Sequence, residues 1–208
     1  MARLKQILAR PDLGYFGAGL VDCKNGFNLG GVIRAVGAFD GKLVIASGER
    51  WKTKGDWRNM DGEGAHLRFP CYLGVKDVFD HIPTTGHGYG AQTVAIELTE
   101  GSESLVDFVH PKVAVYIFGP EDGSLPQEVL DKCAKKVYIP TEYSLNLYSA
   151  ATAVFYDRAA KLTKAISESK EVACPDCGHR HTNVLQAKDS ELNELRHCNA
   201  CGVSFAMV

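Results

Sequence analysis

Val113-Ala-Val-Tyr-Ile-Phe-Gly-Pro-Glu-Asp-Gly123 is an apolar run that breaks into a glycine-proline turn. An unbroken apolar segment of this length, with β-branched residues at alternate positions, reads as a strand covered on both faces. Gly119 and Pro120 stop it. Pro126 then opens a helical stretch, Pro126–Ala134, where its missing N–H costs nothing. Gly14–Cys23, Lys42–Ser47, Gln92–Leu98 and Lys135–Ile139 are runs of the same kind and give four more strands. Between them lie apolar stripes at helical spacing: Leu29, Val32, Ile33, Val36 and Phe39, then Val75, Val78, Phe79 and Ile82, then Leu105, Phe108 and Val109. A last helix is expected from about Asn146 to Ile166. Strand and helix alternate, so the predicted fold is α/β with a parallel sheet clothed by helices. Ligands of such sheets gather at the carboxyl ends of the strands, which places Gly119–Gly123 at the edge where chemistry is expected.

Composition sets the outer limits. The 208 residues are 45% hydrophobic and 23% charged, ordinary values for a globular chain able to bury a core. The opening Met1-Ala-Arg-Leu-Lys-Gln has no apolar signal core, and no run reaches the ~20 apolar residues of a membrane helix. A cytoplasmic location and no membrane partner are the expectation. A formal net charge of −2 excludes a polybasic nucleic-acid binder but not a local basic patch. Glu49-Arg-Trp-Lys-Thr-Lys-Gly-Asp-Trp-Arg58 interleaves tryptophans with cations, and it fits either an RNA-contact loop or an ordinary surface excursion.

Two other stretches share the character of Gly119–Gly123. Asn28-Leu-Gly-Gly-Val-Ile-Arg34 follows the first strand and starts a helix. Asn28 suits an N-cap, and Gly30 and Gly31 permit close approach of backbone or phosphate. Arg34 lies off the apolar stripe. A guanidinium there fits a bidentate phosphate grip or a solvated surface side chain equally well. Ile139-Pro140 followed by Ser144-Leu-Asn146 closes the last strand and leads into the last helix.

In this order the three stretches resemble the SpoU (TrmH-like) branch of the SPOUT RNA methyltransferases. The resemblance covers about residues 14–160 and implies a parallel-sheet SPOUT fold with a C-terminal trefoil knot, acting as a homodimer. It implies an S-adenosylmethionine-dependent methyl transfer to a ribose 2′-hydroxyl of tRNA or rRNA. Arg34 takes the role of the arginine that readies the hydroxyl, with Asn28, Glu121 and Asn146 shaping the catalytic side. Gly119, Ile139, Ser144 and Leu145 line the cofactor pocket, and Glu97 gives it another wall. The chain departs from the family pattern in Thr141-Glu-Tyr143, which lacks the usual glycine, and in Tyr148, where a small serine is common. A catalytically weak RNA-binding dimer that keeps the fold as a scaffold is the alternative.

Composition shifts at Ser167-Glu-Ser-Lys-Glu171, dividing a methyltransferase domain, 1–166, from a small domain, 171–208. Cys174-Pro-Asp-Cys177 and Cys198-Asn-Ala-Cys201 are two knuckles whose four thiolates suit a tetrahedral, structural zinc site. The tail resembles a zinc ribbon, a module that docks on RNA or on protein. Cys23, Cys71 and Cys133 read as small hydrophobes. His66, His81, His87 and His110 show no partner in sequence.

Overall fold

A computed structural model describes residues 13–84, 90–170, 182–186, 194–198 and 204–207. Leu13–Ala159 form one compact unit. It holds β1 (Tyr15–Leu20), α1 (Gly26–Ala38), β2 (Leu43–Ser47), β3 (Cys71–Val75), β4 (Gln92–Ile96) and β5 (Glu103–Ser104). β6 (Val113–Phe118), α2 (Gln127–Lys132) and β7 (Lys135–Tyr138) follow, and then α3 begins, running over Leu147–Lys170. The strands make a seven-stranded sheet in the order β3-β2-β1-β6-β4-β7-β5, and each described pairing is parallel. In the other unit, β8 (Thr182–Gln186), β9 (Glu194–Cys198) and β10 (Ser204–Met207) form an antiparallel sheet. Among the described residues no helix is long and apolar enough to cross a membrane.

Strand β6 shows why its sequence is continuously apolar. Ala114, Tyr116 and Phe118 face a core built with Leu29, Val32, Ile33 and Val36 of α1 and Val154 and Phe155 of α3. Val115 and Ile117 face the opposite core, with Leu125, Val129 and Leu130 around α2. Phe155 packs tilted against Phe16 with ring centroids 5.0 Å apart and meets Tyr116 and Phe118 at 6.1 Å. Each such ring contributes about 1.5–3 kcal/mol by leaving water.

Register then sets the functional edge. Leu20 pairs with Phe118, Phe118 with Ile96, and Ile96 with Val137. The loops after β1, β4, β6 and β7 therefore leave the sheet at one level, where parallel α/β sheets bind ligands. At the opposite end Arg158, 1% exposed, donates to the carbonyls of Leu13, Pro111 and Lys112 at 2.7–2.9 Å. Beside it His110 sits between the Tyr116 hydroxyl at 2.6 Å and Asp157 at 2.8 Å. These groups fasten the amino ends of β1 and β6, far from the loops of interest.

Several local expectations need correction. Asn25, not Asn28, caps α1: its side chain accepts the Phe27 N–H, and the helix begins at Gly26. The stripe from Val75 to Ile82 is the end of β3 plus a short 3-10 turn, Val78–His81, capped by Asp77. Leu105 and Phe108 are buried, but in a turn after β5 rather than in a helix.

Candidate active site

The three motif stretches meet. Asn28, buried in the first turn of α1, donates from Nδ2 to the Glu121 carboxylate in the loop after β6. Its Oδ1 accepts from Asn146 Nδ2 at 3.0 Å, in the loop before α3. Glu121 also accepts the Lys24 N–H at 2.8 Å and the Cys23 thiol at 3.7 Å. Asn146 caps α3, its Oδ1 taking the Tyr148 N–H and its carbonyl the Ala150 N–H. The first, second and third motifs are thus one hydrogen-bonded chain across the carboxyl edge of the sheet.

Next to that chain lies a pocket of about 330 Å³, bounded by the ends of β4, β6 and β7 and the start of α3. Glu97, Gly119, Glu121, Ile139, Ser144 and Leu145 all line it, with Tyr138, Leu98 and Tyr143. Glu97 has one oxygen committed to the Leu125 N–H at 2.9 Å, so it also pins the loop that follows Glu121. A Cβ on Gly119 would stand 3.2 Å from the Leu125 nitrogen and 3.3 Å from its Cγ, so the glycine lets the loop after β6 pack tightly against the strand end that lines the pocket. Burial pushes the Cys23 thiol up to about 12, and the Glu121 carboxylate adds to this. That thiol is a packing group and a weak donor, not a nucleophile.

Arg34 stands apart from the pocket lining, exposed on α1. Its direction follows from its neighbours on the helix. A Cβ on Gly30 would meet the Trp57 carbonyl oxygen at 1.9 Å, and one on Gly31 the Tyr148 ring at 2.8 Å. The space left by the glycines is thus filled by protein, not open to a phosphate. Arg34 follows Gly30 by four residues and Gly31 by three, so it emerges between the Trp57 segment and Tyr148. Among the described residues it makes no hydrogen bond or ion pair.

A second layer carried no signal in the sequence. Arg50 donates to Asp22 at 2.8 Å and to Asp122 at 2.7 Å, and Lys24 pairs with Asp122 at 3.1 Å. These contacts join the loops after β1, β2 and β6. Local spacing cannot show a pair 72 residues apart. Cys174, Cys177 and Cys201 lie outside the described residues, and Cys198 ends β9 with its side chain undescribed. Among the described residues no cluster of His, Cys, Asp and Glu could hold a metal ion.

A family model described as the SpoU rRNA Methylase family matches residues 18–156, more than half of the chain. The chain belongs to this family. All three stretches fall inside the matched region, so the SpoU match and the hydrogen-bonded chain concern the same residues. No curated protein sequence matches the chain. Among solved structures it is similar to the SpoU methyltransferase AviRb from Streptomyces viridochromogenes, with TM-score 0.59, 20% identity, and coverage of 78% of this chain and 64% of that one. AviRb has also been solved in complex with the cofactor AdoMet. An AdoMet-bound rRNA methyltransferase from Sinorhizobium meliloti gives TM-score 0.58 at 23% identity, over 74% of this chain and 59% of that one. The A. aeolicus TrmH/SpoU tRNA modifying enzyme gives 0.61 at 18%, over 84% and 90%. The shared property at these identities is the fold. This SpoU chain spans less than two thirds of AviRb and of the S. meliloti enzyme.

Proposed function

We propose that the chain is an S-adenosylmethionine-dependent RNA methyltransferase acting on a ribose 2′-hydroxyl of tRNA or rRNA. The observation that carries this reading is the Asn146–Asn28–Glu121 chain, which joins the three SpoU motifs beside a pocket of ligand size. The pocket suits the cofactor: aliphatic groups of Ile96, Ile139 and Leu145 line it together with the carboxylates of Glu121 and Glu142, and Gly119 lines it without a side chain. Glu97 and Ser144 complete the lining. When bound, S-adenosylmethionine supplies a methyl group on a sulfonium, open to in-line displacement by oxygen.

The chain's own residues have to ready that oxygen. A ribose hydroxyl is a very weak acid, so positioning and nearby positive charge supply the gain. Arg34 supplies that charge beside the hydroxyl and, together with the substrate phosphate, assists its deprotonation, the proton passing to solvent as the oxygen–methyl bond forms and the sulfur–methyl bond breaks. Glu121, Asn28 and Asn146 keep the surrounding loops at fixed spacing. Arg34 is exposed and bonded to no described residue, so removing it should leave stability within about 0.5 kcal/mol. Arg34→Ala should lower methyl transfer to RNA by ~10²-fold or more, with thermal midpoint and cofactor affinity unchanged. Mapping 2′-O-methyl sites in RNA from cells with and without the chain identifies the target. Wild-type transfer by the variant removes the proposed role.

The scaffold reading rests on Tyr148, whose ring closes over Gly31 beside Arg34. It is favoured only if calorimetry detects RNA binding but no S-adenosylmethionine binding. The reading as an enzyme includes a homodimer and a knotted carboxyl end to the sheet domain. It also includes a structural zinc ion on Cys174, Cys177, Cys198 and Cys201, which rests on sequence spacing. Metal analysis of the purified chain should return about one zinc per chain, and none after substitution of two knuckle cysteines. A wild-type chain without stoichiometric metal rules the site out.

A further inference from the structure

Of the three short 3-10 turns between β2 and β3, the first two, Arg50–Thr53 and Trp57–Asn59, lie against α1 and take no part in the pocket. Their inner side is anchored. Trp51 and Trp57 are each 8% exposed, and the Trp51 indole N–H donates to the Gly48 carbonyl at 3.2 Å. The Lys54 carbonyl accepts the Gly26 N–H at 2.9 Å. Gly55, at φ +80°, lies flat on the Phe27 ring, where a Cβ would come within 2.6 Å. Both tryptophans belong to the core that α1 packs against.

The outer side is cationic. Residues 50–58 carry four cations and one acid, in a chain whose net charge is −2. Arg50 is committed to Asp22 and Asp122, but Lys52, Lys54 and Arg58 are exposed. Lys52 lies 5.5 Å from the centre of the Trp51 ring and Arg58 4.7 Å from that of Trp57, around an open depression of about 410 Å³. Lys52 pairs with Glu49, and Arg58 with Asp56 at 3.6 Å. Both are solvent-exposed pairs, which phosphate can replace. Phe27, 40% exposed, precedes Arg34 by seven residues and so shares its face of α1. An aromatic ring, the free guanidinium and three cations therefore share one side of the molecule.

From this we infer a second RNA subsite: a shelf for the single-stranded nucleotides that flank the methylated one. Lys52, Lys54 and Arg58 engage successive phosphates, and Phe27 offers a face to a base. Charge spread along an anchored segment matches a strand rather than a single phosphate, which would call for an enclosed site with buried donors. The inference rests on the RNA reading given above and adds where the strand runs.

Its test uses the full chain, fluorescently labelled unfractionated tRNA and a short single-stranded oligouridine. Dissociation constants are read by anisotropy over a range of salt concentrations. Lys52→Ala/Lys54→Ala/Arg58→Ala should weaken binding to both RNAs at least tenfold and flatten the log–log salt slope by about 2, from three contacts at roughly 0.7 each. Cofactor affinity and melting temperature should not move. Asp56→Asn keeps an acceptor for the Arg58 N–H, removes only the negative charge, and should tighten tRNA binding severalfold. An unchanged slope in the triple variant overturns the shelf while leaving the methyltransferase reading intact. Joint loss of RNA and cofactor binding in the triple variant, or no gain in Asp56→Asn, also overturns the shelf. A wild-type chain that binds neither RNA overturns both.

Discussion

Asp122 follows Glu121 in the chain, yet the two carboxylates have separate duties. Glu121 faces Asn28 and the Lys24 N–H, whereas Asp122 faces Arg50 and the Lys24 ammonium. The Arg50 guanidinium, helped by Lys24, lowers the Asp122 carboxyl to about 2, against about 3.9 for a free aspartate. Because the folded value is the lower one, the contact stabilises the fold fully above about pH 4 and fades as pH falls through about 2. Asp122 is 41% exposed and Arg50 38%, so solvent and salt screen the effect and it should be modest. Asp122→Asn should lower the thermal midpoint slightly at neutral pH, and its difference from wild type should shrink below pH 4 and in high salt. A difference that is flat from pH 7 to pH 3 and then grows would show that Asp122 does not hold these loops through its charge.

At the scale of elements, two adjacent glycines give expectations of different size. Alanine favours a helix over glycine by about 1 kcal/mol, so Gly30→Ala and Gly31→Ala should both stabilise α1 on propensity alone. At Gly30, however, the new methyl would meet the Trp57 carbonyl at 1.9 Å and the Met60 Cβ at 2.9 Å, and backbone must shift. Overpacking of this kind costs about 1–3 kcal/mol, enough to cancel the helical gain or exceed it. At Gly31 the new methyl would meet Tyr148 Cγ at 2.8 Å and Cβ at 2.9 Å, a milder overlap than at Gly30, but one that the first turn of α3 must yield to because Cβ moves only with its backbone. Urea titration should find Gly30→Ala less stable than Gly31→Ala, and a Gly30→Ala stabler than wild type would mean the 51–58 segment does not sit on α1. The same elements show what the sequence made legible. Strands buried on both faces announce themselves as unbroken apolar runs, and β1, β2, β4, β6 and β7 were all readable within a few residues. Strand β3 has no fully buried residue and β5 has two residues in all, so neither leaves such a run. Apolar spacing of three and four at Val75–Ile82 fits a helix, but a strand end followed by one tight turn produces it too. Within the site, the motif residues could be named one by one. Their junction could not, because Asn28 bonds across 93 residues to Glu121 and across 118 to Asn146. Arg158, a buried cation bonded to backbone carbonyls, has no sequence signature at all.

At the scale of the whole molecule, exposed apolar side chains gather near the pocket. Tyr148, Thr152 and Tyr156 recur every four residues on α3, and the two tyrosines are 39% and 65% exposed. Tyr143 is 79% exposed and Leu145 42% in the loop that lines the pocket, and Leu98 is 77% exposed on the opposite wall. Large apolar side chains grouped around a binding pocket are what a partner surface looks like, whereas single exposed ones carry no such meaning. The homodimer proposed here covers these residues with a second copy and completes the mouth of the pocket. Tyr156 is the cleanest position to test, since it lies outside the Asn146–Asn28–Glu121 chain and away from the pocket lining. Light scattering should give a dimer for the wild-type chain, and Tyr156→Asp should shift it toward monomer by burying an unpaired charge at the interface. The monomeric variant should keep its fold by circular dichroism but bind S-adenosylmethionine more weakly, because Tyr143 and Leu145 lose their cover. A wild-type monomer with full cofactor affinity would show that one copy's pocket suffices, and the exposed tyrosines would then belong to the RNA-binding surface instead.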